Sequence, residues 1–212
     1  MRMKTRMLLG LALGISLFTT SCSDFLTEDP KGRLTPETYF STQDELNMSV
    51  YALYQKINQS QIYANMQYPQ WQGDDITTNP GSNKQAAAEI DRFSVANNNK
   101  GLTAVWNMHY GIIKAANFII ANAEKTPTSE EEINIALGQA KYWRGYAYFT
   151  LVRLFGSLPM NLDNVNDDYT LPLTPAEGVY EQIVKDLTGA EAVLPTGYKD
   201  APRFMNGVNI YV

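Results

Sequence analysis

Residues 140–159 read AKYWRGYAYFTLVRLFGSLP, and this stretch decides the fold. From Tyr142 to Phe155, apolar and aromatic residues would occupy nearly every side of a helix, which indicates burial on more than one face. Gly156 ends the helix, because glycine readily adopts the backbone conformation found after a helix C-terminus. The stretch therefore predicts a long helix at the centre of a helical protein.

Apolar spacing and helix caps predict three more helices around this one. A capping box at 42–45 opens a helix that runs to about residue 58, and a second box at 129–132 opens the central helix. Another helix covers about 101–125, and the last begins with Thr174 as its cap. The apolar stripe of the last helix consists of Val179, Tyr180, Ile183, Val184, Leu187, Ala190 and Leu194. Short connections predict a mainly α fold of tetratricopeptide-like antiparallel helix pairs with long irregular loops.

The N-terminus has the layout of a secretory signal peptide. The basic residues Arg2, Lys4 and Arg6 precede a mainly apolar run over 7–18, and small polar residues then lead to Cys22. The uncharged stretch is too short to cross a bilayer as a helix. It therefore predicts an address that is removed, not a membrane-spanning segment.

Cys22 stands directly behind small residues, where a bacterial lipoprotein is cleaved and acylated. We therefore expect a lipoprotein signal peptide at 1–21, a lipidated cysteine and tether at 22–34, and a helical domain at 35–212. Several acyl chains would hold that domain on a membrane, because each buried methylene contributes about 0.8 kcal/mol. An ordinary cleaved signal with an incidental cysteine is the alternative.

Charge and residue counts argue against several functional classes. The net charge is −5 and no cluster of Lys and Arg follows residue 6, so nothing would displace counterions from nucleic-acid phosphates. One Cys and one His are too few for the usual zinc sites. No Gly-rich phosphate loop and no G-x-S-x-G elbow occurs in the sequence. The sequence predicts no cofactor, no metal, no catalytic residue and no nucleic-acid partner.

Four passages, in their order and spacing, resemble the SusD/RagB family. They are the segment from Cys22 to Pro30, the W-x3-Y-x6-N pattern of Trp106, Tyr110 and Asn117, the block at 140–159, and the stretch 179–195. The family's chain continues well beyond the part that resembles residues 206–212. The resemblance therefore implies a SusD-like N-terminal helical domain that is incomplete at its C-terminal end.

The resemblance implies a binding protein rather than an enzyme. Family members are lipid-anchored in the outer membrane of Bacteroidetes-type bacteria, face the cell exterior, and work with a SusC-like TonB-dependent transporter. They capture glycans or oligosaccharides, sometimes peptides, for import, and no covalent chemistry is involved. The alternative function is a helical-repeat scaffold that binds only protein partners.

Ligand contacts are expected in the polar stretch between about 58 and 100, because long loops inside a domain are often functional. The indole face of Trp71 would stack on a sugar, and Asp74 and Asp75 would accept hydrogen bonds from its hydroxyl groups. The amide of Asn79 offers both donors and an acceptor. The alternative is a solvated loop with one anchoring tryptophan.

Three other polar residues invite a functional interpretation, and each has a simpler structural one. His109 lies on an apolar helix face, which predicts a packed, hydrogen-bonded side chain and not a ligand or base. For Arg144 and Arg153, in the aromatic helix, we predict stems packed over rings. The neighbouring carboxylates of Asp74 and Asp75 would point apart on an extended chain, which argues against a glycosidase pair.

Overall fold

The computed structural model describes residues 39–63, 73, 77–78, 84–163 and 170–196. Five α-helices lie within these ranges: α1 (Gln43–Tyr63), α2 (Gln85–Asp91), α3 (Lys100–Asn122), α4 (Glu130–Phe155) and α5 (Ala176–Glu191). A 3-10 turn, Ala123–Lys125, extends α3, and two short strands, β1 (Leu158–Pro159) and β2 (Leu173–Thr174), pair antiparallel. The predicted mainly α class is confirmed.

Helix α4 lies between its neighbours, as its composition predicts. Ala140, Ala147, Tyr148 and Leu151 are fully buried on it. It runs antiparallel to α3, because Trp106 meets Phe155 near one end while Asn117 meets Arg144 further along. Because α4 is buried against several neighbouring helices, it forms the centre of the hydrophobic core.

Helices α1 and α5 complete the packing around α4. The Tyr54 hydroxyl of α1 donates to Gln139 Oε1 at 3.0 Å. On the other side, a Cβ added to Gly138 would lie 2.7 Å from Val193 Cγ2, just past the end of α5. Glycine at 138 therefore permits a close approach that any side chain would obstruct. The predicted antiparallel pairs are confirmed.

Both predicted capping boxes open a helix. At α1, Thr42 N donates to Glu45 Oε2 at 2.9 Å, and Glu45 N donates to Thr42 Oγ1 at 3.3 Å. At α4, Ser129 Oγ accepts from Glu132 N at 3.3 Å. These bonds satisfy backbone donors that no helical carbonyl can reach.

Three predicted boundaries are wrong. Helix α1 continues to Tyr63, five residues beyond the predicted end, and α2 lies inside the stretch that the sequence suggests is only polar loop. Thr174 does not cap α5: Pro175 is the N-cap residue and no side chain caps the helix. The reason is that Thr174 pairs with Leu158 in the two-stranded ladder, and two-residue strands are too short to show periodicity.

The apolar stripe predicted for α5 is only partly buried. Val179, Ile183 and Ala190 are buried, but Val184 is 62% exposed and Tyr180 is 42% exposed. Two polar residues, Gln182 and Asp186, share the buried face with these three buried apolar residues, and Asp186 is 2% exposed. In the part of the chain that the structure describes, no helix is long and apolar enough to span a bilayer.

Candidate functional site

The predicted ligand residues Trp71, Asp74, Asp75 and Asn79 lie outside the described residues, and so does Cys22. The structure does describe the downstream side of that loop. Thr77 and Thr78 are the described residues nearest to Asn79.

Asp91, the last residue of α2, anchors the predicted loop. Its Oδ2 accepts from Thr77 Oγ1 at 3.1 Å and from Thr78 N and Oγ1 at 3.0 Å each. A carboxylate at a helix C-terminus faces the negative end of the helix dipole, and these hydrogen bonds offset that repulsion. The backbone hydrogen bond from Thr78 is the main cause of a lowered pKa at Asp91.

Asn99 builds the corner between α2 and α3. Its Oδ1 caps α3 by accepting from Gly101 N at 3.0 Å and Leu102 N at 3.1 Å. Its Nδ2 donates to Ala86 O at 3.0 Å and to Glu89 Oε2 at 2.8 Å. The side chain is thus bonded to both helices, which fixes their mutual orientation.

Sequence reasoning missed Asn99, although asparagine just before an apolar helical pattern is a preferred N-cap residue. The same corner engages Glu89, whose carboxylate also accepts from Ala96 N at 3.2 Å and Gln85 Nε2 at 3.0 Å. The hydrogen bond from Asn99 is the main cause of a lowered pKa at Glu89. The carboxylates of Glu89 and Asp91 therefore both act as hydrogen-bond acceptors that hold neighbouring groups in place.

A buried ion pair lies where the sequence predicts stacked arginine stems. Arg144 Nε and Nη2 donate to the two carboxylate oxygens of Asp186 at 2.8 and 2.7 Å, and Nη1 donates to Asn117 Oδ1 at 2.8 Å. Gln182 Nε2 adds a bond to Asp186 at 2.9 Å. The prediction for Arg144 is therefore wrong, because its partner lies 42 residues away in the sequence.

Arg153 behaves as predicted. Its guanidinium carbon lies 5.0 Å from the ring centroid of Phe149, and the side chain is on the exposed side of α4. Such a contact contributes about 0.5–1 kcal/mol at an exposed site. The two arginines of one helix thus have different roles.

The W-x3-Y-x6-N pattern holds the segment after α4. Tyr110 donates its hydroxyl to Pro159 O at 2.7 Å, and Asn117 Nδ2 donates to Asn161 O at 3.0 Å. Tyr148 donates to the same Asn161 carbonyl at 2.7 Å. Burial raises the pKa of both tyrosine hydroxyls, which keeps them protonated as donors. These side chains supply hydrogen-bond donors to backbone carbonyls in an irregular segment, where regular helix hydrogen bonds do not form.

His109 is packed inside the core, as predicted. It is 1% exposed, its Nδ1 lies 2.7 Å from Val105 O, and its Nε2 has no hydrogen-bond partner among the residues that the structure describes. Since the carbonyl can only accept, Nδ1 carries the proton. Burial lowers the pKa of the imidazole, so it is neutral at pH 7.

The described residues contain several acidic side chains that act as structural acceptors. Among the described residues, no group of three or more His, Cys, Asp or Glu side chains is placed to hold a metal ion. Asp186, Glu89 and Asp91 each accept several hydrogen bonds within the protein. Asn99 fixes the corner of α2 and α3, and Asp91 anchors Thr77 and Thr78.

Comparison with known proteins identifies the family. Residues 24–206 match the model of the SusD-like family described as starch-binding and associating with the outer membrane. SusD-like protein P2 of Formosa agariphila is 29% identical over 184 residues, which is 84% of this chain and 36% of that protein. The chain thus spans about a third of the length of this relative.

Solved structures share the fold. A laminarin-binding SusD-like protein aligns with a TM-score of 0.65 at 21% identity, over 74% of this chain and 36% of that one. A protein solved with xylogluco-oligosaccharide aligns with a TM-score of 0.61 at 24% identity, over 71% and 30%. The match to the family model covers most of the sequence, and the helix packing agrees with it. The chain belongs to the SusD-like family.

Proposed function

We propose that this protein is a lipid-anchored, glycan-binding protein of the outer membrane that presents oligosaccharides to a SusC-like TonB-dependent transporter. The observation that carries the proposal is the family match over 24–206. Relatives described as binding laminarin or solved with xylogluco-oligosaccharide support the ligand class. Cys22 behind an apolar leader supports the anchor.

The ligand contacts in this proposal come from the loop before α2. Trp71 stacks on a sugar ring, while Asp74, Asp75 and Asn79 bond its hydroxyl groups. The bonds from Thr77 and Thr78 to Asp91 support this assignment, because they fix one end of the loop to a helix. A loop held in this way loses less conformational freedom when a ligand binds.

Binding without turnover is the expected activity. Adjacent carboxylates at 74 and 75 would point to different sides if the chain is extended there, whereas a glycosidase needs two facing carboxyl groups across one bond. The protein would then hold a glycan until a transporter accepts it. Its affinity, not a catalytic rate, would determine its use.

A glycan array followed by calorimetry tests this proposal. We expect the wild-type protein to bind a neutral oligosaccharide and Trp71→Ala to bind it at least about tenfold more weakly, equivalent to about 1.4 kcal/mol. Phe149→Ala is the matched control, because it removes an exposed aromatic side chain that lies on α4 and outside the loop.

Three results would contradict the proposal. Hydrolysis of the bound glycan by purified protein would establish an enzyme. Equal affinity in wild type and Trp71→Ala would remove the loop from the site. Absence of any glycan binding, with a TonB-dependent barrel still captured, would instead establish the protein-binding scaffold.

A further inference from the structure

A pocket of about 370 Å³ lies at the corner of α2 and α3, beside the end of α4. Val95, Leu102, Trp106 and Phe155 supply its apolar walls. The edge of Phe155 meets Trp106 at a centroid distance of 5.0 Å and an angle of 89°. The volume is at the lower end of the roughly 300–1,000 Å³ found for small-molecule sites. It suits the end of a glycan and not a long stretch of chain.

The polar groups that line the pocket favour a neutral ligand over a charged one. Among the residues that the structure describes, those that line the pocket are not ionisable, and their polar groups are the side chains of Asn97, Asn99 and Thr103. An anionic or cationic ligand would lose hydration there without gaining a counter-charge. A neutral molecule with apolar ring faces and hydroxyl edges meets an aromatic floor and a polar rim.

The polar rim offers free hydrogen-bonding capacity on a fixed frame. Asn99 is 5% exposed and occupied on both ends of its amide, so it serves as the frame. Thr103 Oγ1 donates to Asn99 O at 3.0 Å, which leaves its lone pairs to accept from a ligand. Asn97 is exposed at the rim and can offer both donors and an acceptor.

We propose that this corner pocket is a second sugar-binding site, in addition to the one proposed at Trp71, and that it takes one end of a neutral oligosaccharide against Trp106. The inference rests on the proposed function for its ligand class. The anchor at Asp91 comes four residues before Val95 in the chain, so one short segment supports both sites. Two modest sites on one protein would raise the avidity for a glycan that reaches both.

Nuclear magnetic resonance on the whole protein tests the proposal, because its three tryptophans give three indole N–H signals. The probes are a laminarin oligosaccharide and a xylogluco-oligosaccharide, with an acidic oligogalacturonide for comparison. We expect the Trp106 signal, assigned with Trp106→Phe, to shift with a neutral probe both in wild type and in Trp71→Ala.

The pocket is then closed with Thr103→Arg, which places a long charged side chain at its mouth. In the Trp71→Ala background we expect about a tenfold loss of affinity, or about 1.4 kcal/mol. Ala121→Arg is the matched control, because it adds the same exposed side chain further along α3. Circular dichroism confirms that each variant is folded.

The outcomes separate this inference from the broader proposal. If a glycan binds through Trp71 and the chemical shift of the Trp106 signal does not change, the second site is overturned and the proposed function stands. A Trp106 shift that disappears in Trp71→Ala, or that the acidic probe also produces, overturns it as well. Binding of no glycan by any form overturns both.

Discussion

Arg144 connects three helices through one side chain. Its backbone belongs to α4, while its guanidinium bonds Asn117 on α3 and Asp186 on α5. The residue is 6% exposed, so water cannot replace a lost partner. A buried pair adds little compared with a well-packed apolar pair, but removal of one partner leaves an uncompensated charge. The network therefore fixes which helices meet more than it adds to overall stability.

Replacing Arg144 with Leu should destabilise the protein by about 3–5 kcal/mol, because Asp186 would remain buried without its counter-charge. Urea unfolding followed by circular dichroism measures this. Arg153→Leu, the control from the same helix, should lose less than about 1 kcal/mol because that side chain is exposed.

The double variant Arg144→Leu with Asp186→Leu extends the test. It should recover part of the lost stability, because it removes both charges. If Arg144→Leu is as stable as Arg153→Leu, the ion pair does not hold these helices together.

At the scale of elements, the end of α2 contains an unusual residue. Phe93 N donates to Ile90 O at 3.1 Å and Ser94 N donates to Glu89 O at 2.9 Å, the two bonds of a Schellman motif. The residue at its turn has φ of 53°, a position where glycine is preferred, yet here it is a phenylalanine that is 71% exposed. The ring of Phe93 is thus exposed to solvent, two residues before Val95 of the corner pocket, at some cost in backbone strain.

Phe93→Gly should therefore stabilise the protein by about 0.5–1 kcal/mol, since it relieves the left-handed backbone and removes little burial. Gly156→Ala is the reciprocal variant: Gly156 has φ of 72° and its added Cβ would meet nothing within 4 Å. It should lose about 1–3 kcal/mol through backbone strain alone, because φ of 72° with ψ of −119° is a conformation that alanine rarely adopts. Thermal melting of both variants checks the pair, and equal shifts would contradict the assignment of strain.

At the scale of the whole molecule, the sequence predicts what depends on local order. Helix α4 and the caps at Thr42 and Ser129 were predictable because their signals lie within a few residues. The partner of Arg144 was not, because Asp186 is brought to it only by the packing of α5 on α4. Helix α2 escaped prediction since seven residues, Gln85–Asp91, give under two periods of apolar spacing.

The candidate site divides in the same way. Asn99 was within reach of cap preferences, whereas the corner pocket was not, because its walls at Val95 and Phe155 come together only in the folded chain. The loop residues from Trp71 to Asn79 stay a prediction. Their chemistry can be read from the sequence, but their positions depend on contacts that no local pattern encodes.

The lipid anchor proposed at Cys22 concerns the protein as a whole and is testable in cells. An alkyne fatty acid fed to the bacterium should label the wild-type protein in the outer-membrane fraction, and Cys22→Ala should carry no label. The chain has one cysteine, so this variant removes its only thiol. Ser23→Ala is the neighbouring control and should keep the label. Label that survives in Cys22→Ala would exclude lipidation at that position.

The clamp formed by Tyr110, Asn117 and Tyr148 has a consequence for how relatives are compared. These three side chains bond carbonyl groups of their own polypeptide, so their role in the fold does not depend on which ligand the protein binds. A sequence motif drawn from them groups proteins by ancestry and architecture and does not indicate the ligand. Two proteins that share this motif can therefore bind different ligands, and the residues that set the difference must be sought outside it.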